Sequence, residues 1–492
     1  MNPFDDFVSA ETTPLFKDAT GVATVCHLLW GDGVRVAERK GDRTKVKARG
    51  GRAGWVKTSA LGGQSLLELY FIDVGQGDGI LIKTPDFRHV MIDGGLPRSR
   101  TDTGKNAADF VDWKFAKDYG AKSIALDAMI ASHCDEDHYG GLADLLDVTQ
   151  SDELDAASIT VEAFHHAGLS WWRSGSKRTL GDSKKTADGT FWTRLVDDNA
   201  SVAAALGDGA GPKLHGNWRT LFENVSKARA RSGDPTRIAR LSHADDFLPG
   251  FERGTPGGAS IKVLGPVEFT VGGKPALRKF PKGDSQNTNG VSLLLRVDYG
   301  SSRILLTGDL NATSQLALMQ DYAGEMMEFQ CDVAKACHHG SEDVSYAFLQ
   351  AMRPGVTVIS SGDNEGYDHP RPSIIAASAL AGHVEVRDDR VVTPLVYSTE
   401  LARSVDLGHV AGLRVKSEDG KSESTWKGKD LHRATTDLVG CKRKSTTLDR
   451  AMVVGGLIYG LVNVRTDGTK ILCATLDESS QKWRIETVKS RF

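Results

Sequence analysis

The chain is predicted to be α/β: a sandwich of two sheets covered by helices, preceded by a small all-β unit and interrupted by a partly helical insertion. Three observations predict this. Apolar runs ending abruptly in polar side chains recur along the chain: residues 125–131 before His133, 303–307 before Gly308-Asp309, 332–337 before His338-His339, and 356–360 before Ser361. Buried strands whose loops gather functional groups at one sheet edge read this way. Residues 1–63 instead alternate short strand-like runs with glycine turns. Residues 158–258 form an interval too long for a plain connection and therefore carry structure of their own.

Composition sets the class. With 492 residues, 40% hydrophobic and 25% charged, the chain can bury at least one large core and carry accessory modules. A net charge of −3 excludes a global electrostatic pull toward nucleic acid, so any such binding is local. No basic segment followed by an apolar core opens the chain, and no stretch approaches the ~20 apolar residues of a membrane span. A cytoplasmic protein without membrane contact is expected. The 6 cysteines lack a Cys-x-x-Cys pair and read as reduced, structural thiols.

The elements follow in order. Residues 24–30, 34–37, 44–48 and 54–56 are strands separated by Gly31-Asp32-Gly33, Gly41-Asp42 and Gly50-Gly51 turns. This unit, closing with Gly54-Trp55-Val56 and Leu61, resembles a bacterial SH3-like barrel. The resemblance implies a module that binds a protein partner and is dispensable for chemistry. Residues 64–492 hold the catalytic core. Within the insertion, residues 218–230 are helical, and Trp171, Trp172 and Trp192 interleave with Arg173, Lys177, Arg178, Lys184, Lys185 and Arg194. Such a mixture either stacks bases and contacts phosphates or packs as a helical cap. His165 and His166 follow a strand-like run and are further candidate ligands. Residues 457–464 and 469–474 form a hairpin about Asp467-Gly468 that adds edge strands over about 450–492. The polar stretch 416–429 reads as a loop.

The chemistry concentrates in Ser132-His133-Cys134-Asp135-Glu136-Asp137-His138. Alternation lets His133, Asp135 and Asp137 point to one side while His138 begins a turn, so one loop can feed two adjacent cations. The alternative for these residues, and the lesser one, is a solvated acidic loop. Asp309, the His338-His339 pair, and a loop carrying Asp363, Asn364, Asp368 and His369 end three further strands.

Seven motifs in sequence order give this pattern a family. They are Phe71 to Asp78 (Phe-Ile-Asp-Val-Gly-Gln-Gly-Asp), Met91-Ile92-Asp93-Gly94-Gly95, the loop His133 to His138, Asn289-Gly290-Val291-Ser292, Leu306-Thr307-Gly308-Asp309, His338-His339-Gly340-Ser341 and Tyr367-Asp368-His369-Pro370. The chain resembles the metallo-β-lactamase superfamily and, within it, the ComEC-type branch. That implies an αββα core holding two divalent metal ions. His133 and Asp135 would serve one ion, Asp137 and His138 the other, with Asp309 between them and Asp137 also orienting the attacking water. His339 would contact a phosphate or protonate the leaving oxygen, His338 complete a metal shell, and His369 be the last ligand. Asn289 and Ser341 would face substrate.

Two such ions ~3.5–4 Å apart bridge a hydroxide, polarise a phosphoryl oxygen and stabilise the departing oxyanion. Asp135, where most members of the superfamily carry histidine, hardens the site, so Mn²⁺ competes with Zn²⁺, and Fe²⁺ is a third candidate. The expected function is a phosphodiesterase or nuclease acting on nucleic acid or a smaller phosphodiester. The alternatives are hydrolysis of a small ester, lactone or thioester, and a metal-stabilised regulatory binding protein.

Overall fold

Strand Leu67–Ile72 shows how the core is built: Leu67, Leu69 and Phe71 enter one apolar cluster and Tyr70 and Ile72 another. Both faces of the strand are buried, which is why it reads as a continuous apolar run. The computed structural model describes residues 2–400 except 102, 256, 363–366 and 368, strands Gly412–Lys416, Glu423–Lys427, Arg433–Asp437 and Ser445–Asp449, and residues 461–477 and 482–492. Asp363, Asn364, Asp368, Cys441, residues 450–460 and much of the stretch 416–429 lie outside the described residues.

Two sheets stack face to face. The first has nine strands in the order Arg237–Arg240, Ala163–His166, Ala128–Ala131, His89–Ile92, Ile80–Lys83, Leu67–Ile72, Leu461–Thr466, Lys470–Asp477 and Lys482–Lys489. The second has six, in the order Ser260–Gly265, Leu294–Tyr299, Ser302–Leu306, Val333–Lys335, Val356–Ile359 and Leu395–Ser398. Between them Phe71, Ile82 and Ile130 meet Ile261, Leu295, Ile304 and Val358. Outside the first sheet, helices Ala107–Trp113, Glu136–Leu146 and Gly216–Lys227 bury Val111, Leu142 and Phe222. Outside the second, Ala312–Asp321 and Tyr346–Met352 bury Leu318, Phe348 and Met352. The result is a four-layer αββα sandwich. Among the described residues no helix is long and apolar enough to cross a membrane.

The insertion caps the first sheet. Trp171, Trp172, Trp192 and Trp218 are buried in its outer cluster, and Arg178, Arg194 and Lys279 lie over the rings of Trp171, Trp172 and Trp192 at 4.0, 5.5 and 4.2 Å. These indoles therefore pack the cap, and no bare ring is offered to a base. Strands Ser183–Thr186 and Gly189–Trp192 continue into Lys274–Arg278 and Glu268–Val271, tying the insertion to the segment beyond it.

The N-terminal unit is a six-stranded antiparallel sheet in the order Asp6–Phe7, Gly33–Lys40, Arg43–Ala48, Arg52–Lys57, Thr12–Phe16 and Thr24–Leu29. Its two end strands do not pair with each other, so the barrel expected from the turns is not closed. Two strands lacked a signal: Asp6–Phe7 has only two residues, and Thr12–Phe16 carries Pro14, which cannot donate to a ladder.

This unit is locked to the first sheet. Leu29, Trp30 and Leu66 pack with Leu472, Ala474 and Trp483. Arg465, buried, meets Asp32 at 2.8 Å and Glu68 at 3.5 Å, and Glu68 also meets Lys83 at 2.6 Å. Burial alone would raise the Glu68 carboxyl, but Arg465 and Lys83 hold it well below the usual carboxylate range. A group depressed in the folded state contributes stability above its unfolded value of ~4.3 and loses it as pH falls from there toward the folded value. Thermal melts across pH 7 to 3 should therefore show stability falling mainly below pH ~4.3, with a shallower fall in Glu68→Gln. Identical slopes in the two proteins would remove Glu68 from that account.

Candidate metal centre

The site is assembled where strand Ala128–Ala131 ends and helix Glu136–Leu146 begins. The Ser132 backbone N–H donates to Asp93 Oδ1 at 2.7 Å, which pins the loop at its start. Close backbone approach then seats the helix: a Cβ on Gly141 would fall 2.0 Å from the Gly94 oxygen. Gly77, at φ +122°, would place a Cβ 2.0 Å from the Asp137 oxygen. Only glycine permits either contact, and together they bring Asp78 and Asp93 beneath His138.

Three donor atoms converge above them. His138 Nε2 and His339 Nε2 are 3.2 Å apart, and Asp309 Oδ2 lies 3.2 Å from the first and 3.0 Å from the second. A tetrahedral ion with bonds of ~2.0–2.1 Å has donor–donor edges of ~3.3–3.4 Å, so this triangle has the size of one face of such a shell. Asp137 oxygens at 4.0 and 3.8 Å from the two imidazoles supply a fourth donor. A second grouping joins His133, His138 and Asp309, with Asp135 Oδ2 3.7 Å from His133 Nε2. The groupings overlap at His138 and Asp309, and the residues present fit a divalent metal cation.

Outer contacts orient the rings. His138 Nδ1 is 2.8 Å from Asp93 Oδ2, and His339 Nδ1 lies 3.3 Å from Asp78 Oδ1 and 3.1 Å from the Ser360 carbonyl. Both imidazoles thus turn Nε2 toward the cluster, in the carboxylate–histidine arrangement of metal sites. Lys335 Nζ, fully buried, is 2.5 Å from Asp78 Oδ2, 2.9 Å from the Gly308 carbonyl and 3.6 Å from Asp309 Oδ1. The segment His338-His339-Gly340 runs through three left-handed residues, at φ +48°, +53° and +80°. For the two histidines that conformation costs of order 1–3 kcal/mol each.

The electrostatics favour positive charge. Burial opposes protonation of both imidazoles, yet Asp309 and Asp93 raise His138 well above the ordinary histidine value, and Asp309 and Asp78 raise His339 to about 9. Burial pushes Asp135 up to about 7 against the Thr288 hydroxyl, which donates to it at 2.7 Å. Asp309, Asp93 and Asp78 thus favour protons on the two imidazoles, in a place that suits a metal cation.

The structure brings six predicted residues together: His133, Asp135, Asp137, His138, Asp309 and His339. His339 lies inside the cluster, whereas the sequence placed it toward substrate. His338 stands at the rim, its Nε2 3.9 Å from Asp309 Oδ2, and the His369 ring centroid is 5.9 Å from that of His338. Neither His338 Nδ1 nor His369 Nδ1 has a hydrogen-bond partner. Oriented so that its nitrogen faces oxygen acceptors, the Asn289 amide donates to Asp135 Oδ2 at 3.0 Å and accepts from His338 Nε2 at 3.3 Å. Ser341 instead serves its own turn, its hydroxyl accepting from the Asp343 N–H at 3.2 Å. His165 and His166 are buried outside the candidate groupings, with His166 stacked on Phe164 and edge-on to Phe222.

Asp78, Asp93 and Lys335 were missed as site residues. The two aspartates stood in quoted motifs, and a lysine inside the apolar run 332–337 was itself a signal.

No family model matches the chain. A segment of 93 residues, 19% of the chain, is 31% identical to ComE operon protein 3 of Bacillus subtilis, and one of 87 residues, 18% of the chain, is 37% identical to competence protein ComA of Neisseria gonorrhoeae. The matched segment spans 12% of the length of each relative. A solved structure described as a metal-dependent hydrolase of the β-lactamase superfamily aligns over 68% of this chain and 95% of its own, at 10% identity and a TM-score of 0.31.

Proposed function

We propose that the chain is a metal-dependent hydrolase of the metallo-β-lactamase type, ComEC-like in its motifs, that cleaves phosphodiesters, nucleic acid among them. The observation that carries this reading is the convergence of His138 Nε2, His339 Nε2 and Asp309 Oδ2 at 3.0–3.2 Å on one point, beside His133 and Asp135. The partial matches to the two competence proteins support it. In this reading His138, His339, Asp309 and Asp137 hold one divalent ion, and His133, Asp135 and Asp309 the other, with Zn²⁺ and Mn²⁺ the candidates. Such a pair polarises a phosphoryl oxygen and lowers the pKa of water.

The chain's own residues then divide the remaining work. Asp93 and Asp78 keep both imidazoles in one tautomer. Asp137, with its side chain 24% exposed, reaches solvent, as Asp135 does at 23%, and can orient an incoming water. His338 and His369 stand beside the cluster, and their buried Nδ1 atoms have no hydrogen-bond partner. Arg178, exposed over Trp171, stands beside the metal loop because the Trp171 indole N–H donates to the Cys134 carbonyl at 2.8 Å, and it suits an anionic substrate. A partner-binding role for the N-terminal unit and a cytoplasmic setting belong to the same reading and stand on the sequence alone.

Metal analysis of the purified protein comes first, followed by assays with bis(p-nitrophenyl) phosphate, single- and double-stranded DNA, RNA and cyclic dinucleotides. Chelator-sensitive phosphodiester turnover supports the reading. Turnover of esters, lactones or thioesters alone would favour the other hydrolases, and a metal-loaded protein inert to all substrates would favour the regulatory protein. His339→Ala is expected to lose an ion, as a ligand would. Full metal content with a rate lowered ~10²–10⁴-fold would return His339 to the role of general acid.

A further inference from the structure

Lys335 is a cation built into the floor of this centre, and the proposed chemistry gives it no role. It is the last residue of strand Val333–Lys335 in the second sheet and is fully buried. Burying an ammonium is costly unless its donors are all engaged. Its Nζ donates to the Gly308 carbonyl at 2.9 Å and forms ion pairs with Asp78 Oδ2 at 2.5 Å and, beyond hydrogen-bond length, with Asp309 Oδ1 at 3.6 Å. An ammonium has three protons to give. Asp78 belongs to the loop after Leu67–Ile72 in the first sheet, so the lysine spans the two sheets directly beneath the cluster.

Each contact has a consequence for a proposed ligand. By drawing on Asp309 Oδ1, Lys335 leaves Oδ2 turned toward His138 and His339, at 3.2 and 3.0 Å. By holding Asp78 Oδ2, it places Oδ1 3.3 Å from His339 Nδ1, beside the Ser360 carbonyl at 3.1 Å, and the two acceptors together keep the proton on Nδ1 and the lone pair of Nε2 toward the cluster. Its charge also completes a balance. The buried carboxylates Asp78, Asp93 and Asp309 and the partly buried Asp135 and Asp137 are together matched by two divalent ions and one ammonium.

Resting on the metal-centre reading above, we propose that Lys335 is a positioning residue: it clamps Asp78 and Asp309 so that His339 and the shared carboxylate are preset to receive cations. Charge and position make opposite demands, which renders the proposal testable. Removing a buried positive charge beside two carboxylates should by electrostatics alone tighten cation binding. Losing an outer partner that orients the ligands should weaken it about 10–100-fold.

The test compares the full-length wild type with Lys335→Met, both stripped with chelator and titrated with Zn²⁺ against a chromophoric competitor. Stoichiometry is read by native mass spectrometry. Imidazole ¹⁵N shifts report the His339 tautomer. The expected result is a loss of about 10–100-fold in affinity for at least one ion and a mixed His339 tautomer. Tighter binding would make the lysine a charge balancer only, and a lower melting temperature with unchanged affinity would make it merely structural; either overturns the proposal. If Lys335→Met does not fold, Asp78→Asn replaces it. That variant keeps the bulk at the same place, and the same weakening is expected, with unchanged affinity again overturning the proposal. A wild type that binds no metal would sink the metal-centre reading and this inference with it. Metal binding by the wild type with an unaffected variant would sink this inference alone.

Discussion

Asp309→Ala is expected to abolish hydrolysis and to remove at least one metal ion. One atom explains the size of the effect: Asp309 Oδ2 lies 3.2, 3.0 and 3.9 Å from the Nε2 atoms of His138, His339 and His338. Among the described residues no other carboxylate oxygen stands between so many candidate ligands. Burial would raise its pKa, but His339 and His138 hold the carboxyl well below the usual range, which favours its ionised form. Removing it takes from two buried imidazoles the carboxylate they share on the Nε2 side and leaves Lys335 with Asp78 and the Gly308 carbonyl. The loss should therefore exceed the ~10–100-fold typical of removing an outer contact to a ligand. Metal content by mass spectrometry and turnover of a generic phosphodiester check this directly. Asp309→Asn, which keeps the shape and one oxygen but not the charge, should retain more metal than Asp309→Ala while remaining strongly impaired. Wild-type metal content and turnover in Asp309→Ala would end the two-ion reading.

What could be read in the sequence follows from which signals are local. The loop from His133 to His138 declares itself because its ligands are adjacent, and the apolar runs before it and before Asp309 read as strands because both faces are buried. The pairing of Asp93 with His138 across 45 positions, or of Asp78 with Lys335, has no local signature, since each residue alone resembles a turn aspartate or a stray charge. Which of the two neighbouring histidines turns inward lacks a local signature for a similar reason. His338 and His339 are equivalent by spacing, and only their left-handed backbone decides that His339 turns inward while His338 stays at the rim. Tryptophan among basic residues is ambiguous because the same side chains that could stack a base also pack under arginine and lysine, as Trp171 and Trp192 do here.

A chain beginning at Gln64 is expected to be severely destabilised, even though none of the proposed ligands precedes that point. Short strands and glycine turns predict a separable module, but separability depends on what crosses the boundary, and here buried charge crosses it. Arg465 lies between Asp32 of the N-terminal unit and Glu68 of the core, and it also donates to the Trp30 carbonyl at 2.5 Å. Gly50 donates to Asp118 at 3.1 Å, the Trp483 indole donates to the His27 carbonyl at 3.0 Å, and Arg35 reaches the Tyr119 carbonyl. Deleting residues 1–63 would strip Arg465 of Asp32 and open Leu66, Leu472 and Ala474 to water. Breaking a buried ion pair by removing one partner costs ~3–5 kcal/mol, against a total stability of only ~5–15 kcal/mol for a typical domain. The apolar surface opened at the same boundary adds to that. Arg465→Leu isolates the ionic part without deleting anything: it removes the cation and leaves Asp32 and Glu68 buried beside each other's charge. A drop in melting temperature of many degrees is expected for Arg465→Leu, and a larger loss or outright insolubility for the truncated chain. Metal content of whatever remains folded should be unchanged, since Arg465 touches none of the proposed ligands. A truncated chain that melts like the full-length protein, loads metal and turns over a small phosphodiester would show that the interface network is dispensable and that the unit is the separable module its sequence suggests.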